Sequence, residues 1–305
     1  MKIVMFTDHF YPELGGIQDS VMLTARSLGA RGHGVEIFAP RHPEADFRRG
    51  GHAFAEPDLG ANVVIHRRMS WRVASSTQQS RAAVPSPASL LALLGRRRPD
   101  VIHSHSFFGL GLEALIAGRV LGVPVVGTNH TNVLAFGPYI PVPVERAADW
   151  VVGYYNRCDA ITAPSRAVFA ELGLQRLRHA PQIVSNPIDT QRFHPAAPGE
   201  QPRLLRAFGL AGPLIVYAGR LAAEKNIEAI LHAMAILPDP PTLALAGHGA
   251  HEKALRQLAA ELGIAHRVAF LGTLAPDRLA ELLRAADLFV MMSTSETQSL
   301  SLIHI

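Results

Sequence analysis

Tyr217-Ala-Gly-Arg-Leu-Ala-Ala-Glu-Lys-Asn226 is the stretch whose reading decides the fold class of this chain. The run that leads into it, Pro213-Leu-Ile-Val-Tyr-Ala218, is short, apolar and partly β-branched, the pattern of a strand buried in a parallel sheet. Beyond it, Ile227, Ile230, Leu231, Met234 and Leu237 recur at helical spacing and make one apolar stripe. The stretch is therefore a strand-to-helix turn, with Gly219 at the bend and Arg220 and Lys225 flanking the helix start. Cations at that end oppose the helix dipole, which favours negative charge at its N-terminus. From the residues alone two readings are open. Either an anion joins the two side chains and the free backbone N–H groups there, or both are solvated surface charges partly offset by Glu224.

Working outward, the same strand–helix alternation continues on both sides. Thr242–Gly247 and Val268–Leu271 read as strands, with Gly249 and a helix from His251 to Leu262 between them. Leu279–Ala286 reads as a helix and Leu288–Met292 as a strand. Towards the N-terminus, Lys2–Thr7 and Val35–Ala39 are strands separated by a loop, Asp8–Gly16, and a helix carrying Val21, Ala25 and Leu28, a βαβ unit. Val101–His105, Gly122–Thr128 and Ala160–Ala163 are further strands, Trp150–Cys158 is a helix, and Pro164-Ser165 opens another. Ser89–Leu94 forms a short helix whose Arg96-Arg-Arg98 end suits a helix C-terminus. His194 to Pro202 is polar and Pro-rich, and a second βα series begins at Leu214, so the domain boundary is placed at 194/195. The class is α/β, with two Rossmann-like domains (1–194 and 195–305) expected to face a cleft.

Composition narrows the function. The chain has 305 residues, 48% of them apolar, and a formal net charge of +4. That mild basicity suits anionic small molecules or a phospholipid surface. No basic stripe with interleaved aromatics appears, so nucleic acid is not an expected partner. The single cysteine, Cys158, excludes an internal disulfide framework and fits a reducing compartment. No signal peptide is expected, since the chain opens directly on a strand, and no apolar run reaches the ~18 residues of a membrane span.

Position singles out candidate residues. Asn129-His130-Thr131 lies just past a strand's carboxyl end, the edge where open α/β sheets bind ligands, which makes His130 a candidate for chemistry. His103 alternates inward on its own strand and reads as a packed core histidine. Gly15-Gly16, ahead of a helix, would let backbone approach a phosphate or sugar, and a plain tight loop is the alternative. Arg48, Arg49, Arg67, Arg68 and Arg72 lie near Phe47, Phe54 and Trp71 in an irregular segment. They are either solvated loop charges or an acceptor-side rim meeting anionic lipid.

Taken together, the motifs resemble the GT-B-fold retaining glycosyltransferases of family 4. The resemblance covers residues 1 to 303 and rests on Tyr11-Pro-x-x-Gly-Gly16, Arg31-Gly-His33, Asp100-Val-Ile-His-Ser-His105, Gly127-Thr-Asn-His-Thr131, Pro164-Ser165, Asn186-Pro-Ile-Asp189, Gly219-Arg-Leu-x-x-Glu-Lys-Asn226, Gly247-x-Gly249 and Ser295-Glu-Thr297. Their order and spacing, more than any one of them, carry it. Within the family, the segment around His130 and the run to Tyr139-Ile-Pro141 look most like enzymes that glycosylate diacylglycerol or phosphatidylinositol-type lipids.

The resemblance implies a transferase that moves a hexose from a nucleotide-diphosphate sugar to an acceptor hydroxyl, with a membrane lipid as acceptor. It implies donor binding by Gly15, Gly16, Arg220, Lys225, Gly247 and Gly249, and catalytic positions for His130 and Glu296. Arg220 and Lys225 match a basic pair on the donor diphosphate, His130 a residue near the transferred sugar, and Glu296 the first Glu of an E-x₇-E motif. No Asp-x-Asp pair is present to hold a divalent metal, so neither a metal nor a cofactor beyond the nucleotide sugar is expected. The expected location is the cytoplasm, with peripheral contact on the inner face of the membrane. The second Glu of the motif would fall at 304, where the chain has His304, and Leu302-Ile-His-Ile305 reads as a truncated terminus that leaves the second domain incomplete. Two other classes stay open: a nucleotide-sugar epimerase and a non-catalytic nucleotide-sugar binder. An NAD-dependent oxidoreductase is disfavoured, because neither half carries the full glycine fingerprint followed by a ribose-binding acid.

Overall fold

The computed structural model describes residues 1–13, 15–49, 52–72, 81–83, 85, 98–131, 143–170, 174–239 and 241–293. The chain divides into two compact units, Met1–Pro187 and Ile188–Ile305, so the boundary expected at 194/195 falls a few residues inside the second. Ser89–Leu94, Arg96, Arg97, Tyr139-Ile-Pro141, Ser295-Glu296-Thr297 and His304 lie outside the described residues.

In the first unit the strands are β1 (Lys2–Phe6), β2 (Gly34–Pro40), β3 (Val63–Arg68), β4 (Ser70–Arg72), β5 (Arg81–Ala83), β6 (Val101–Ser104), β7 (Val125–Thr128), β8 (Ala160–Ala163) and β9 (Gln182–Ile183). Seven of them form a parallel sheet in the order β3-β2-β1-β6-β7-β8-β9. The remaining two pair as an antiparallel ribbon, Ser70 opposite Ala83 and Arg72 opposite Arg81. Side-chain alternation on β1 sends Ile3 and Met5 to one face, against Val21 and Ala25 of the helix Gly16–Ala30. Val4 and Phe6 go to the other, against Leu110, Ala114 and Ala117 of the helix Gly109–Leu121. Both faces are covered, which is why β1 has no polar alternation. Packing is close enough to forbid side chains at some positions. A Cβ on Gly118 would lie 2.2 Å from Val125 Cγ2, and one on Gly127 would lie 2.8 Å from the buried Cys158 Sγ.

The second unit has β10 (Leu214–Ala218), β11 (Thr242–Ala246), β12 (Val268–Gly272) and β13 (Leu288–Phe289), parallel in the order β12-β11-β10-β13. Its faces divide in the same way. Tyr217, Leu243 and Leu245 pack with Ile227, Leu231 and Met234, while Val216 and Ala244 pack with Leu204, Leu282 and Ala285.

Several elements differ from their expected form. Val63–Arg68 is an edge strand, in parallel register with β2 from Val35–Val63 to Pro40–Arg68. Its apolar run stops at Val63-Val-Ile65, and the rest is polar, beside a ladder on Glu36: Lys2 Nζ lies 3.1 Å from Glu36 Oε1, and His66 Nε2 lies 2.8 Å from Glu36 Oε2. Its arginines are not simply solvated, since the Arg67 guanidinium lies 5.1 Å from the Phe10 ring centroid and pairs with Glu56. A helix, Gln201–Phe208, occupies part of the segment read as linker. Pro202 sits in its first turn, where a missing N–H is tolerated, and Leu204 is buried. The helix placed at Trp150–Cys158 runs from Val144 to Tyr155, behind Pro143. The helix after Pro164-Ser165 starts at Ala167. Strand β13 ends at Phe289, short of the Met292 expected.

Ile102, fully buried on β6, and Ile116, half exposed on the neighbouring helix, separate packing from mere hydrophobicity. Ile102→Ala is expected to destabilise the first unit by about 2–5 kcal/mol. Ile116→Ala should stay within about 0.5 kcal/mol of the parent, both read from denaturant titration.

Candidate active site

Parallel pairing brings the carboxyl ends of β1, β2, β6 and β7 to one edge, and the sheet order reverses direction between β1 and β6. Such a reversal opens a crevice in doubly wound sheets. The residues emerging there are polar and buried: Thr7 and Asp8 after β1, His42 after β2, His105 and Ser106 after β6, Asn129 and His130 after β7. Asp8 ties three elements together. Its backbone N–H donates to Ser106 Oγ at 2.7 Å, and its Oδ1 accepts from the Leu110 N–H at 2.8 Å. The helix Gly109–Leu121 has no side-chain cap of its own, so a carboxylate from a neighbouring strand end caps it. A Cβ on Gly109 would come within 2.6 Å of that same oxygen. Burial raises the Asp8 pKa, against the lowering effect of the Leu110 hydrogen bond.

Three imidazoles stack beside it. His103 Nε2 lies 2.6 Å from Thr128 Oγ1, which is itself 2.5 Å from Thr162 Oγ1. The His103 and His105 ring centroids are 4.0 Å apart, and His105 Nδ1 lies 2.9 Å from His130 Nε2. Asn186, whose Oδ1 accepts from Ser20 Oγ at 3.0 Å, also hydrogen-bonds His130. Burial, with the neighbouring imidazoles adding to it, pushes His130 down to about 3. Burial alone takes His103 to about 4. His105 is lowered well below its ordinary value by the same causes as His130. The stack is neutral at physiological pH. His103, expected to be a packed core histidine, is partly buried and also hydrogen-bonded within this group.

The loop carrying Gly15 and Gly16 closes on a second polar group. Glu13 Oε2 is 2.9 Å from His9 Nδ1 and accepts from Gln18 Nε2 at 3.2 Å, while His42 Nε2 lies 3.6 Å from Glu13 Oε1. Gln18 packs beneath Gly15 so tightly that a Cβ there would sit 2.8 Å from Gln18 Oε1. Gly16 is the first residue of the helix. Asp8, Glu13, Gln18, His42 and His105 were not singled out from sequence. The positional argument that selected His130, just past a buried strand at the sheet's carboxyl edge, would also have found Asp8, His42 and His105.

In the second unit, Gly219, Gly247 and Gly249 meet where β10 and β11 run on past the ladder. The Gly219 N–H donates to Ala246 O at 2.9 Å and the Leu221 N–H to His248 O at 3.1 Å. A Cβ on Gly247, at φ +143°, would lie 1.8 Å from Gly219 O, and one on Gly249 would lie 2.0 Å from Leu221 O. Tyr217 Oη donates to Arg220 O at 2.9 Å and fixes the bend. Arg220 and Lys225 bracket a single 3₁₀ turn, Ala223–Lys225, and the α-helix begins only at Ile227 after Asn226 in the left-handed region at φ 48°. Both cations thus precede the helix instead of flanking its start. Arg220 Nη2 lies 3.1 Å from Glu224 Oε1, and Lys225 Nζ donates to Ser293 Oγ at 3.4 Å. Glu296 lies outside the described residues.

Comparison with known proteins agrees with this architecture. The family model described as Glycosyltransferase Family 4 matches residues 14–192, and that of Glycosyl transferases group 1 matches residues 207–304. The α-monoglucosyldiacylglycerol synthase of Streptococcus pneumoniae is 27% identical over 99% of this chain and 68% of its own length. A GDP-mannose-dependent α-mannosyltransferase of Mycobacterium tuberculosis is 30% identical over 97% of this chain and 74% of its own. Among solved structures, Anabaena HepE in complex with UDP superposes with a TM-score of 0.71 at 19% identity, over 96% of this chain and 74% of that one. Sucrose-phosphate synthase from Thermosynechococcus elongatus gives 0.72 at 17%, over 100% and 78%. The chain belongs to glycosyltransferase family 4, an enzyme family of the GT-B class built on two Rossmann-like domains.

Proposed function

We propose that this glycosyltransferase moves a hexose from a nucleoside-diphosphate sugar to an acceptor hydroxyl with retention of anomeric configuration, and that its acceptor is a membrane lipid. The observation that carries the donor half is the basic pair, Arg220 and Lys225, bracketing one turn beyond the carboxyl end of β10. Negative charge accumulates on the diphosphate as the glycosidic bond breaks, and fixed cations stabilise it most where water is scarce. With no Asp-x-Asp pair in the sequence, the two side chains take the part a divalent metal plays elsewhere. Gly247 and Gly249 keep their turn free of side chains, and Gly15 and Gly16 offer bare backbone on the other domain. His130, a neutral imidazole, hydrogen-bonds a hydroxyl of the sugar without placing a like charge beside the cationic centre that develops at its anomeric carbon. Glu296 contacts the sugar hydroxyls.

The acceptor half is supported by the name of one relative, a synthase of a monoglucosyldiacylglycerol. Among the described residues no helix is long and apolar enough to cross a membrane. Contact with the inner face is peripheral, through Arg72 next to the exposed Trp71 and Met69, a cation near an anionic surface adding about 1 kcal/mol.

Arg220→Ala and Lys225→Ala should each raise the calorimetric dissociation constant for UDP by about tenfold or more, the scale of one charge-assisted bond to phosphate. Unchanged binding in both would overturn the donor assignment. His130→Ala is expected to leave UDP affinity nearly intact and lower turnover by roughly 10²-fold, as for loss of one fixed donor. Equal losses in affinity and turnover would remove His130 from that role. The third expectation concerns pH. His103 and His130 titrate in the folded state at about 4 and about 3, below the ordinary 6.5, so each takes up a proton on unfolding within that window. Their contribution to stability is complete above pH 6.5 and is lost as pH falls towards the folded values. His9 acts with the opposite sign: burial would lower it, but the Glu13 hydrogen bond and charge raise it. Melting temperature followed against pH should therefore slope less in His103→Gln than in the parent below pH 6.5. Parallel slopes would contradict a neutral stack.

A further inference from the structure

On the carboxyl edge of the first sheet, past β2 and β3, lies a cavity of about 330 Å³ lined by Arg41, His42, Arg67, Ser70 and Arg81, among others. Nothing in the donor chemistry above uses it. Arg41 and His42 follow β2, Arg67 is the penultimate residue of β3, and Ser70 and Arg81 come from the ribbon, so the elements at this corner of the sheet converge on it. Its arginines are held in place. Arg81 Nε donates to Ser70 Oγ at 2.9 Å and Nη2 to Ser70 O at 2.9 Å, while Arg67 Nη1 donates to Pro40 O at 2.8 Å.

The charges do not balance. Asp46 is shared: its Oδ1 pairs with Arg49 at 3.2 Å, and its Oδ2 with both Arg81 at 3.3 Å and His42 Nδ1 at 3.1 Å. Glu56 pairs with Arg67. With Glu13 facing His42, three carboxylates stand against four guanidiniums and an imidazole, and no partner for the Arg41 guanidinium is found among the described residues, only its backbone being bonded. His42, 4% exposed, turns its Nε2 towards Glu13 Oε1, 3.6 Å away and beyond hydrogen-bond distance. Clustered guanidiniums short of carboxylate fit an oxyanion, and the planar fork of arginine matches phosphate oxygens best. The volume, at the lower end of small-ligand sites, admits a phosphate together with the few carbons of a polyol.

We propose that this cavity binds a phosphate ester on the acceptor, so that the sugar is transferred to a phosphorylated polyol, either free or as the headgroup of a phospholipid. This rests on the transferase reading above and narrows its acceptor to an anionic class, against a neutral diacylglycerol.

The test is calorimetric titration of the full chain with sn-glycerol 3-phosphate, glycerol serving as the neutral control and UDP as the donor-side probe. Arg41→Glu and Arg81→Gln should each weaken glycerol phosphate by about tenfold or more, Arg220→Ala should leave it unchanged, and glycerol should not bind. Arg41 is exposed and its guanidinium has no partner among the described residues, so its variant should keep the fold, to be checked by circular dichroism. Arg119→Glu, an exposed reversal elsewhere in the same unit, controls for net charge. Retention of phosphatidylglycerol vesicles over phosphatidylcholine vesicles, lost in Arg41→Glu and kept in Arg119→Glu, would support the site with a lipid headgroup as source. A pocket-dependent glycerol phosphate response without that vesicle difference would support it with a soluble ester. Wild-type affinity in both cavity variants, sensitivity to Arg220→Ala instead, or no binding of either probe would overturn it. UDP separates the two readings: glycerol phosphate indifferent to Arg41 while UDP still depends on Arg220 sinks the cavity alone, and the reverse pattern sinks the donor assignment alone.

Discussion

Parallel pairing forces every strand of a sheet to deliver its next residue to the same edge, and both units of this chain live under that constraint. In the first, the edge collects Thr7, Asp8, His42, His105 and His130 from strands far apart in sequence. In the second, it brings Gly219 and Gly247 so close that backbone touches backbone. The elements behind the edge are ordinary: buried apolar strands sandwiched by helices, with alternate side chains feeding opposite faces. What the edge adds is a demand. Polar groups that leave the ladder there are taken from water and need partners.

The two units answer that demand differently. The first uses side chains. Asp8 reaches across to cap a helix that has no cap of its own, Asn186 and Ser20 brace His130, and Glu13 gathers His9 and Gln18 under the glycine loop. A buried carboxylate is costly unless hydrogen-bonded, and the raised pKa of Asp8 records the part of that cost its partners leave uncovered. The second unit uses bare backbone. Extending the strands past their ladder by N–H to carbonyl bonds at Gly219 and Leu221 satisfies the main chain without any side chain. The cations Arg220 and Lys225 then stand at the rim of a turn with no bulk of its own.

The same physics explains how much of this could be read from residues. Strands β1, β2, β6, β7, β8, β10 and β11 were legible because burial on both faces leaves continuous apolar runs, and the glycines mattered where they broke such runs. Val63–Arg68 was not, since an edge strand needs cover on fewer sides and this one spends half its positions on Glu36, Glu56 and Glu113. Gln201–Phe208 was hidden by Pro202, a residue that marks linkers and helix first turns alike, and only the packing of Leu204 tells them apart. In the site, His130 was found by position, but its partners were not. Whether His105 or Glu13 turns inward depends on contacts with residues 25 and 29 positions distant, and no local pattern encodes those. The basic pair was legible as charge, while its place before the helix, around a 3₁₀ turn, depended on Asn226 accepting a left-handed backbone.

One buried side chain bears on how the chain meets oxidants. Cys158, 3% exposed, is wedged against the bare face of Gly127, and burial, with the Asp159 charge adding to it, pushes its thiol up to about 12. Thiolate is the nucleophile, and with that acidity only roughly one molecule in 10⁵ carries it at neutral pH. The sulfur is therefore a packing atom: it forms no mixed disulfide and meets alkylating reagents only when the first unit opens. A lone cysteine in the sequence suggested a reducing compartment. Folded, that thiol is deaf to its surroundings, and its modification clocks the opening of the sheet around it.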